Sequence, residues 1–498
     1  MAGLRTSPAT KPVFARDLRN ICRLCQNALR TVSGGIVSVV AGIVAGLDSV
    51  AREAMLFAGA GFLVGGIDDL AIDLLYLARG GWRRGVAAAP DLSAEAAPSL
   101  PIAIFVPAWD EAAVIGAMLT TALARLEHPD YRIYVGTYPN DRATIDAVAA
   151  VAETDPRVHL VIGSRIGPTT KADCLNTLWH TMLRDESGAR DIGRARAIVL
   201  HDAEDVVHPA ELRVFETLIT THAAVQLPVR PLIDSASRLV SGHYADEFAE
   251  AHDKQLVVRA AIGAALPLAG VGCAIDRAML DTIAAARGGD PFDAASLTED
   301  YELGLAIAAM GGTGTLARVR DDDGAIIAVQ AYFPARLGAA VRQKARWMTG
   351  IALAGWDRVG WARGLDLTDH WMRMRDRRAP LAVLVLGAAY VAVVAWGLAV
   401  LLHWVTGSLP PAPIPAWLVV VNAALLGWRL AMRMAFTGAV YGWREALWSV
   451  PRAFVGNVIA LLAARRAITR YVAMLRGRAP VWDKTAHAFP DIAAGVKR

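Results

Sequence analysis

Two kinds of hydrophobic pattern divide this chain. From residue 100 to about 361, short apolar runs alternate with helical stretches, whereas both flanks carry apolar segments long enough to cross a bilayer. In the middle segment, Ile102–Val106, Arg132–Val135, Val158–Ile162 and Ala197–Leu200 read as strands. Ala112–Leu126 reads as a helix after the first strand, and another opens at the end of the stretch Gly167–Asn176. The run Ala197–Leu200 is wholly apolar with charge on both sides, as in a strand buried on both faces of a parallel sheet. The alternation predicts an α/β domain over 100–361.

On the amino-terminal flank, Thr31–Leu47 and Ala54–Leu77 predict a transmembrane hairpin over 31–80, turning at Asp48–Glu53. A basic segment at 1–30 precedes it, and Arg79, Arg83 and Arg84 follow, so both ends are expected in the cytoplasm. Asp68, Asp69 and Asp73 are costly in lipid, which predicts that the helix packs on neighbours or leaves the bilayer there. Residues 81–99, with small residues, Pro and a few carboxylates, read as a linker. Beyond the middle domain, 362–475 is expected to hold membrane and interfacial helices. Pro380–Val405 is the clearest span, Ala416–Trp428 begins a return helix, and 443–475 reads as interfacial amphipathic helices or one short crossing. The remainder, 476–498, reads as a polar cytoplasmic tail.

Composition agrees with membrane insertion. The chain is 55% hydrophobic and 20% charged, with a mean hydropathy of +0.36. A net charge of +4 is no sign of a nucleic-acid binder. Cys22 and Cys25 have half the spacing of a zinc site but no second pair nearby, and the 4 cysteines form no disulfide framework.

The candidate chemistry begins just past the fourth strand. His201-Asp202-Ala203-Glu204-Asp205 packs three carboxylates into four residues, which is unfavourable unless positive charge answers them. A hard divalent cation with oxygen ligands would do so, at the strand ends where α/β folds bind ligands. The competing reading is a solvated acidic turn. Thr298-Glu299-Asp300 opens a helix with Thr298 as its expected N-cap, where a carboxylate stays ionised and fixed. Gln343-Lys344-Ala345-Arg346-Trp347 lies on a basic amphipathic helix that in isolation reads as interfacial.

VPAWDE (106–111), KADCLN (171–176), DAED (202–205), TED (298–300) and QKARW (343–347) occur in that order. The set resembles the membrane-embedded, processive branch of family 2 glycosyltransferases, which includes cellulose and hyaluronan synthases. GIDDLAIDLLY (66–76), VGTYPND (135–141) and VWDKTAHAFP (481–490) are similar, more narrowly, to the bacterial inner-membrane NfrB-type group. The resemblance implies a cytoplasmic GT-A (Rossmann-like) domain inserted between transmembrane helices of the bacterial inner membrane. It implies inverting transfer from a nucleotide-sugar donor, expected to be UDP-linked, onto a growing glycan, with export through an outer-membrane partner.

The resemblance also assigns roles. Asp202, Glu204 and Asp205 would hold Mg²⁺ or Mn²⁺, with Asp202 and Asp205 expected as direct ligands. Trp109, Asp110, Glu111, Asp141, Lys171 and Asp202 would bind the nucleotide sugar. Many relatives carry adjacent aspartates at the second strand end, where this chain has Tyr138, Asn140 and Asp141. Asp300 would be the catalytic base, with Gln343, Arg346 and Trp347 completing the catalytic group. Gly270, Gly272, Glu299 and Trp347 would face the acceptor, and Lys484, Thr485 and His487 the mouth of the site. A further nucleotide-sensing domain is not expected within 498 residues. Two rivals stand beside this reading: a single-addition polyprenyl-phosphate sugar transferase, and a non-catalytic envelope or phage-receptor scaffold.

Overall fold

The computed structural model describes residues 14–81, 87–88, 99–188, 193–362, 364–410, 414–478 and 487–490. The extreme amino-terminal basic residues, most of the 81–99 linker, and Lys484 and Thr485 lie outside them. Two compact units are present: residues up to 62 together with 385–421, and 63–384 together with 422–498.

The second unit is built on a seven-stranded sheet. Its strands β1 (Ile102–Pro107), β2 (Tyr131–Thr137), β3 (Val158–Ile162) and β4 (Ala197–Leu200) are mutually parallel. They stand in the order β3-β2-β1-β4. The chain therefore winds outward from β1 and returns on its other side, which makes the β1/β4 boundary a topological switch point. Beyond β4 come β5 (Ala224–Gln226), β7 (Cys273–Asp276) and β8 (Gly314–Leu316), with β7 antiparallel between β4 and β5. A separate ribbon pairs β6 (Val229–Leu232) with β9 (Val329–Tyr332).

Every residue of β1 and β4 is buried, which is why both read as unbroken apolar runs. Helix α2 (Ile115–Arg125) covers one face of the sheet and α4 (Lys171–Ser187) the other. Further helices of this unit are α3 (Arg142–Ala152), α5 (Glu211–Leu218), α6 (Gly242–Glu250), α7 (Arg277–Ala286), α8 (Glu299–Ala309), α9 (Leu337–Trp347) and α10 (Leu367–Arg377). Phe105 of β1 pairs with Leu200 of β4, and Leu200 with Cys273 of β7. This register brings the turns after β1 and β4 and the turn before β7 to one rim.

The expected hairpin over 31–80 does not form. Phe14–Ala78 is one helix, α1, and the anticipated turn Asp48–Glu53 lies within it. Leu47–Glu53 holds no Gly or Pro to break the helix. Within the first unit, the Asp48 charge is answered by His403, 3.0 Å away on α11 (Ala379–Thr406), so it needs no loop to reach solvent. Among the described residues, four helices are long and apolar enough to cross a membrane: Ser38–Ala78, α11, α12 (Ala416–Tyr441) and α13 (Trp443–Leu475). α12 continues the helix that begins at Ala416 through Arg429 and Arg433 to Tyr441. α13 is one continuous helix rather than several, despite Pro451.

The acidic end of α1 packs on neighbours, as its cost in lipid predicts. Asp68 accepts from Trp371 Nε1 at 2.7 Å and pairs with Arg378, while Asp69 pairs with Arg375 at 3.0 Å. Asp73 meets Lys254 at 2.7 Å and Trp428 Nε1 at 2.8 Å.

Helix α8 is seated against the segment Leu266–Leu268 at Gly304. A Cβ there would lie 2.3 Å from the Leu266 carbonyl and 2.9 Å from the Leu268 amide, atoms that cannot swing aside. Gly304→Ala should cost about 1–3 kcal/mol by overpacking and lower the melting temperature of the purified protein. Gly456→Ala, where open space surrounds the added methyl, should leave it unchanged or raise it.

Candidate active site

The rim at the switch point opens into a cleft lined by Glu111, Lys171, Asp202, Glu204, Asp205, Glu299, Asp300, Gln343, Arg346 and Trp347. Residues scattered over more than two hundred positions thus share one space. His201 begins the arrangement by donating its amide to the Phe105 carbonyl at 3.1 Å, which locks the turn after β4 against β1. Its ring is fully buried between two carboxylates, with Asp205 Oδ2 at 3.0 Å and Glu211 Oε1 at 2.8 Å. Burial opposes a charged ring, but Glu211 and Asp205 outweigh it and raise the imidazole to about 10.

Asp205 also accepts the Asp202 amide at 3.0 Å, so this carboxylate braces the turn from inside. Asp202 and Glu204 are left to serve the cleft. Lys171, the first residue of α4, reaches across to Asp202 Oδ1 at 2.6 Å and to Glu299 Oε1 at 3.9 Å, and donates to the Gly270 carbonyl at 3.3 Å. Its buried ammonium is held charged: burial works against it, but Asp202, Glu299 and Asp300 prevail and raise its pKa.

Thr298 does occupy the N-cap of α8, but its side chain makes no capping bond. It is pressed against Gly350 instead, where an added Cβ would sit 2.4 Å from Thr298 Oγ1. Asp300 is placed by two packed segments. Gly270 has φ +73°, and a Cβ on it would fall 2.6 Å from Asp300 Oδ2, so only glycine lets the turn lie against this carboxylate. Burial raises the Asp300 carboxyl above the usual range, with Lys171 pulling it back. Glu299 is likewise pushed up to about 7 by burial and by its neighbour Asp300. Gly272, by contrast, packs on Val329 and serves the strand rather than the cleft.

The loop leading into α8 is tied to α4. Asn176 donates to the Phe292 carbonyl at 2.7 Å and accepts its amide at 3.0 Å, and Thr170 Oγ1 donates to the Ala294 carbonyl at 2.9 Å. On the opposite wall, α9 presents Gln343, Arg346 and Trp347. Arg346 makes no ion pair or hydrogen bond among the described residues, and Gln343 Oε1 is buried without a partner. Trp347 joins an aromatic wall with Tyr244, Phe248 and Phe333.

Trp109, Asp110 and Asp141 stand together beyond the ends of β1 and β2, outside the residues that line this cleft. The Asp110 amide donates to Asp141 Oδ2, and Asp110 adopts φ +54°. Asp141 also caps α3 through Thr144 N at 3.3 Å, while Trp109 meets the Tyr138 ring edge-on at 5.3 Å. Two supporting residues escaped sequence reasoning. Gln226 staples the glycine turn by donating to the Val271 carbonyl at 2.9 Å and accepting from Ala269 N at 2.8 Å. His201 was visible in the motif, but its partner Glu211 lies ten residues on, with no spacing rule to join them.

Charge in this cleft fixes how stability responds to pH. The raised His201 ring contributes stability below pH 6.5 that is lost as pH climbs toward 10. Glu204, pushed up to about 8 by burial against the opposing pull of His487 and the added push of Asp202 and Asp205, penalises the folded chain once it ionises. Both signs agree, so the melting temperature in chelator should fall steadily from pH 6.5 to 9.5. His201→Gln should lower stability at pH 7 by about 3 kcal/mol and flatten that slope, as calorimetry at several pH values would read.

Comparison with known proteins gives the family. The profile described as "Glycosyltransferase like family 2" matches residues 98–350, half of the chain. Bacteriophage adsorption protein B of Escherichia coli (strain K12) is 35% identical over 424 residues, covering 80% of this chain and 56% of that protein. Bacteriophage N4 adsorption protein B of Escherichia coli O157:H7 gives the same figures. The chain therefore spans just over half the length of the curated relatives it matches. Among solved structures, the mannosyltransferase PcManGT from Pyrobaculum calidifontis, in complex with GDP-Man and Mn²⁺, is similar at a TM-score of 0.52 and 18% identity. That likeness covers 85% of this chain and 99% of that one, and it extends to the GT-A fold. With the motif order, the switch-point cleft and the profile match in agreement, this chain belongs to family 2 of the glycosyltransferases.

Proposed function

We propose that the chain transfers a sugar, with inversion, from a UDP-linked donor onto a growing polysaccharide at the cytoplasmic face of the bacterial inner membrane. The observation that carries this reading is the meeting of the Asp202–Asp205 turn, Lys171, Asp300 and Arg346 around one cleft. Such a site has cations for a leaving diphosphate on one side and a basic carboxylate on the other.

The residues present fit a divalent cation. Glu204 is only 9% exposed and stands among Glu111, Asp202 and Asp205, and although His487 Nδ1 lies 3.2 Å from its Oε2, the cluster keeps an excess of negative charge that a divalent ion would neutralise. Asp202, Glu204 and Asp205 would hold the ion, with Asp205 turned in part toward His201 rather than wholly outward, as direct ligation would ask. A bound Mg²⁺ or Mn²⁺ would supply charge neutralisation at the diphosphate.

The chain's own residues would do the rest. Asp300, with a carboxyl made more basic by burial, would take the proton from the acceptor hydroxyl. As that oxygen bonds to the anomeric carbon, the bond from this carbon to the diphosphate oxygen breaks and the electron pair leaves with the nucleoside diphosphate. Lys171 and Arg346 would meet the departing negative charge, Arg346 being uncommitted to any partner among the described residues. Trp347, Phe248 and Phe333 offer aromatic faces that suit the apolar side of a sugar ring, which favours a glycan acceptor over a simple lipid phosphate. Trp109, Asp110, Glu111 and Asp141 would border the nucleoside. Export through an outer-membrane partner completes the proposal.

Two outcomes test it. Detergent-purified protein with UDP-sugars and Mg²⁺ or Mn²⁺ should release UDP and yield products longer than one added sugar by gel or mass spectrometry. Asp300→Asn should lower kcat by about 10²–10⁴ while donor affinity changes little. A single-residue product would support the polyprenyl-phosphate rival, and unchanged turnover in Asp300→Asn would remove that residue from the role.

A further inference from the structure

The charged stretch that precedes α11 forms α10, and its side chains work on two faces. Asp369, Arg373, Asp376 and Arg377 recur at helical spacing and share one face, while Trp371, Arg375 and Arg378 share the other. The second face grips the acidic end of α1, where Trp371 and the two arginines meet Asp68 and Asp69. The first face meets the segments that lead to Asp300.

Asp376 accepts from the Tyr301 hydroxyl at 3.0 Å, and Arg259 Nη1 donates to its two oxygens at 2.7 and 2.9 Å. Tyr301 and Arg259 are each 4% exposed, so water is a poor substitute for this partner. Tyr301 directly follows Asp300 in the first turn of α8, and its amide donates to Asp300 Oδ1 at 2.8 Å. The other segment that meets Asp300 is fastened to the same helix. Asp369 accepts from the Ala265 amide at 3.2 Å, and Arg259 Nε donates to the Ala265 carbonyl at 2.5 Å. From Ala265 the chain runs through Leu266–Leu268, where α8 is seated at Gly304, to the Gly270 turn that lies on Asp300. Ala265, Tyr301 and Leu305 form an apolar cluster with Ile351 and Val359, which belong to the helical run that continues α9. That run is tied down too: Arg373 donates to the Val359 and Gly360 carbonyls at 3.3 and 3.4 Å, and Arg377 to the Gly355 carbonyl at 3.2 Å.

We infer that α10 positions the base: Asp376, acting through Tyr301, and Asp369, acting through Ala265, hold from one helix the two segments between which the Asp300 carboxylate is set. Neither aspartate lines the cleft, so both are positioning residues. The inference rests on the proposed function for one point, that Asp300 takes the acceptor proton. Proton transfer needs the carboxylate within hydrogen-bond reach of the acceptor hydroxyl, and a displacement of about 1 Å can slow such a step by about 10². Lys171 and Asp202 reach the donor side of the cleft from α4 and from the turn after β4, which these ties do not touch. Loosening α10 should therefore slow transfer without weakening donor binding.

The test uses full-length protein in detergent and the UDP-sugar that the unmodified protein turns over. Tyr301→Phe removes one hydroxyl and leaves the Asp376–Arg259 pair in place. It should lower kcat at least tenfold, on the order seen when a reacting group is misplaced, while KM for the donor stays within about twofold. Asp376→Asn should do the same. Tyr441→Phe deletes a different tyrosine hydrogen bond, to the Pro231 carbonyl at 2.9 Å, and should leave kcat unchanged. Amide exchange read by mass spectrometry needs no turnover: Tyr301→Phe and Asp376→Asn should each speed exchange in 299–305, and Tyr441→Phe should not. An unchanged kcat in Tyr301→Phe, an equal loss in Tyr441→Phe, or a donor KM that rises as far as kcat falls would overturn the assignment. If exchange in 299–305 quickens but no nucleotide sugar is turned over even by the unmodified protein, α10 anchors α8 and the transferase reading fails. If transfer proceeds with kcat and exchange unchanged in both variants, the transferase reading stands and the role of α10 fails.

Discussion

Like charge forced into a small buried volume is the constraint on which this structure turns. Glu111, Asp202, Glu204, Asp205, Glu299 and Asp300 all open onto one cleft, and each would repel the others if nothing intervened. The fold answers with a few cations placed by rigid elements. Lys171 stands at the first turn of α4 between Asp202 and Glu299, His201 is clamped under the acidic turn by Asp205 and Glu211, and His487 sits between Glu111 and Glu204. What remains is a surplus of carboxylate on one side and, on the other, the Arg346 guanidinium, which has no ion-pair partner among the described residues. A cleft so arranged is prepared for an anionic ligand that arrives with its own counterion.

The same logic holds where the chain approaches the membrane segments. Asp68, Asp69 and Asp73 would be expensive in lipid, and each is met by an arginine, a lysine or an indole N–H. Lys254, the partner of Asp73, also pairs with Glu250, which in turn meets Arg433 at 2.8 Å. Arg433 stands on α12, Glu250 ends α6, and α6 also carries Glu247, which pairs with Lys344 of the QKARW helix. Within this unit, two sets of ion pairs that share α6 thus lie between the acidic end of α1 and the helix that lines the cleft. α13 adds an apolar seam to the same helix through Ala463 and Ala467 against Ala345.

Much of this was legible in the residues, and the exceptions have physical causes. The β4 run and its acidic turn stood out because a doubly buried strand must be apolar, whereas a strand end that opens onto a cleft can carry charge. The motifs at 171–176, 298–300 and 343–347 carried their spacing with them, and all three reach the cleft. The α1 hairpin was misjudged because polar residues at 48–53 resemble a loop until a distant partner is known, and His403 is 355 residues away. Separation along the chain also hid Glu211, 10 residues from His201, Gln226, 45 residues from Val271 in the glycine turn, and His487, 376 residues from Glu111. Local pattern shows which groups need partners. Folding alone brings those partners from elsewhere in the chain.

The most direct measurement of the central claim is a structure of the detergent-solubilised protein with a non-transferable UDP-sugar analogue and Mn²⁺. The account predicts diphosphate density between the Asp202–Glu204 turn and Arg346, with the sugar's anomeric carbon facing Asp300. Density for the diphosphate outside this cleft, for example beside Arg165 and His180 in the second cavity at the ends of β2 and β3, would contradict it.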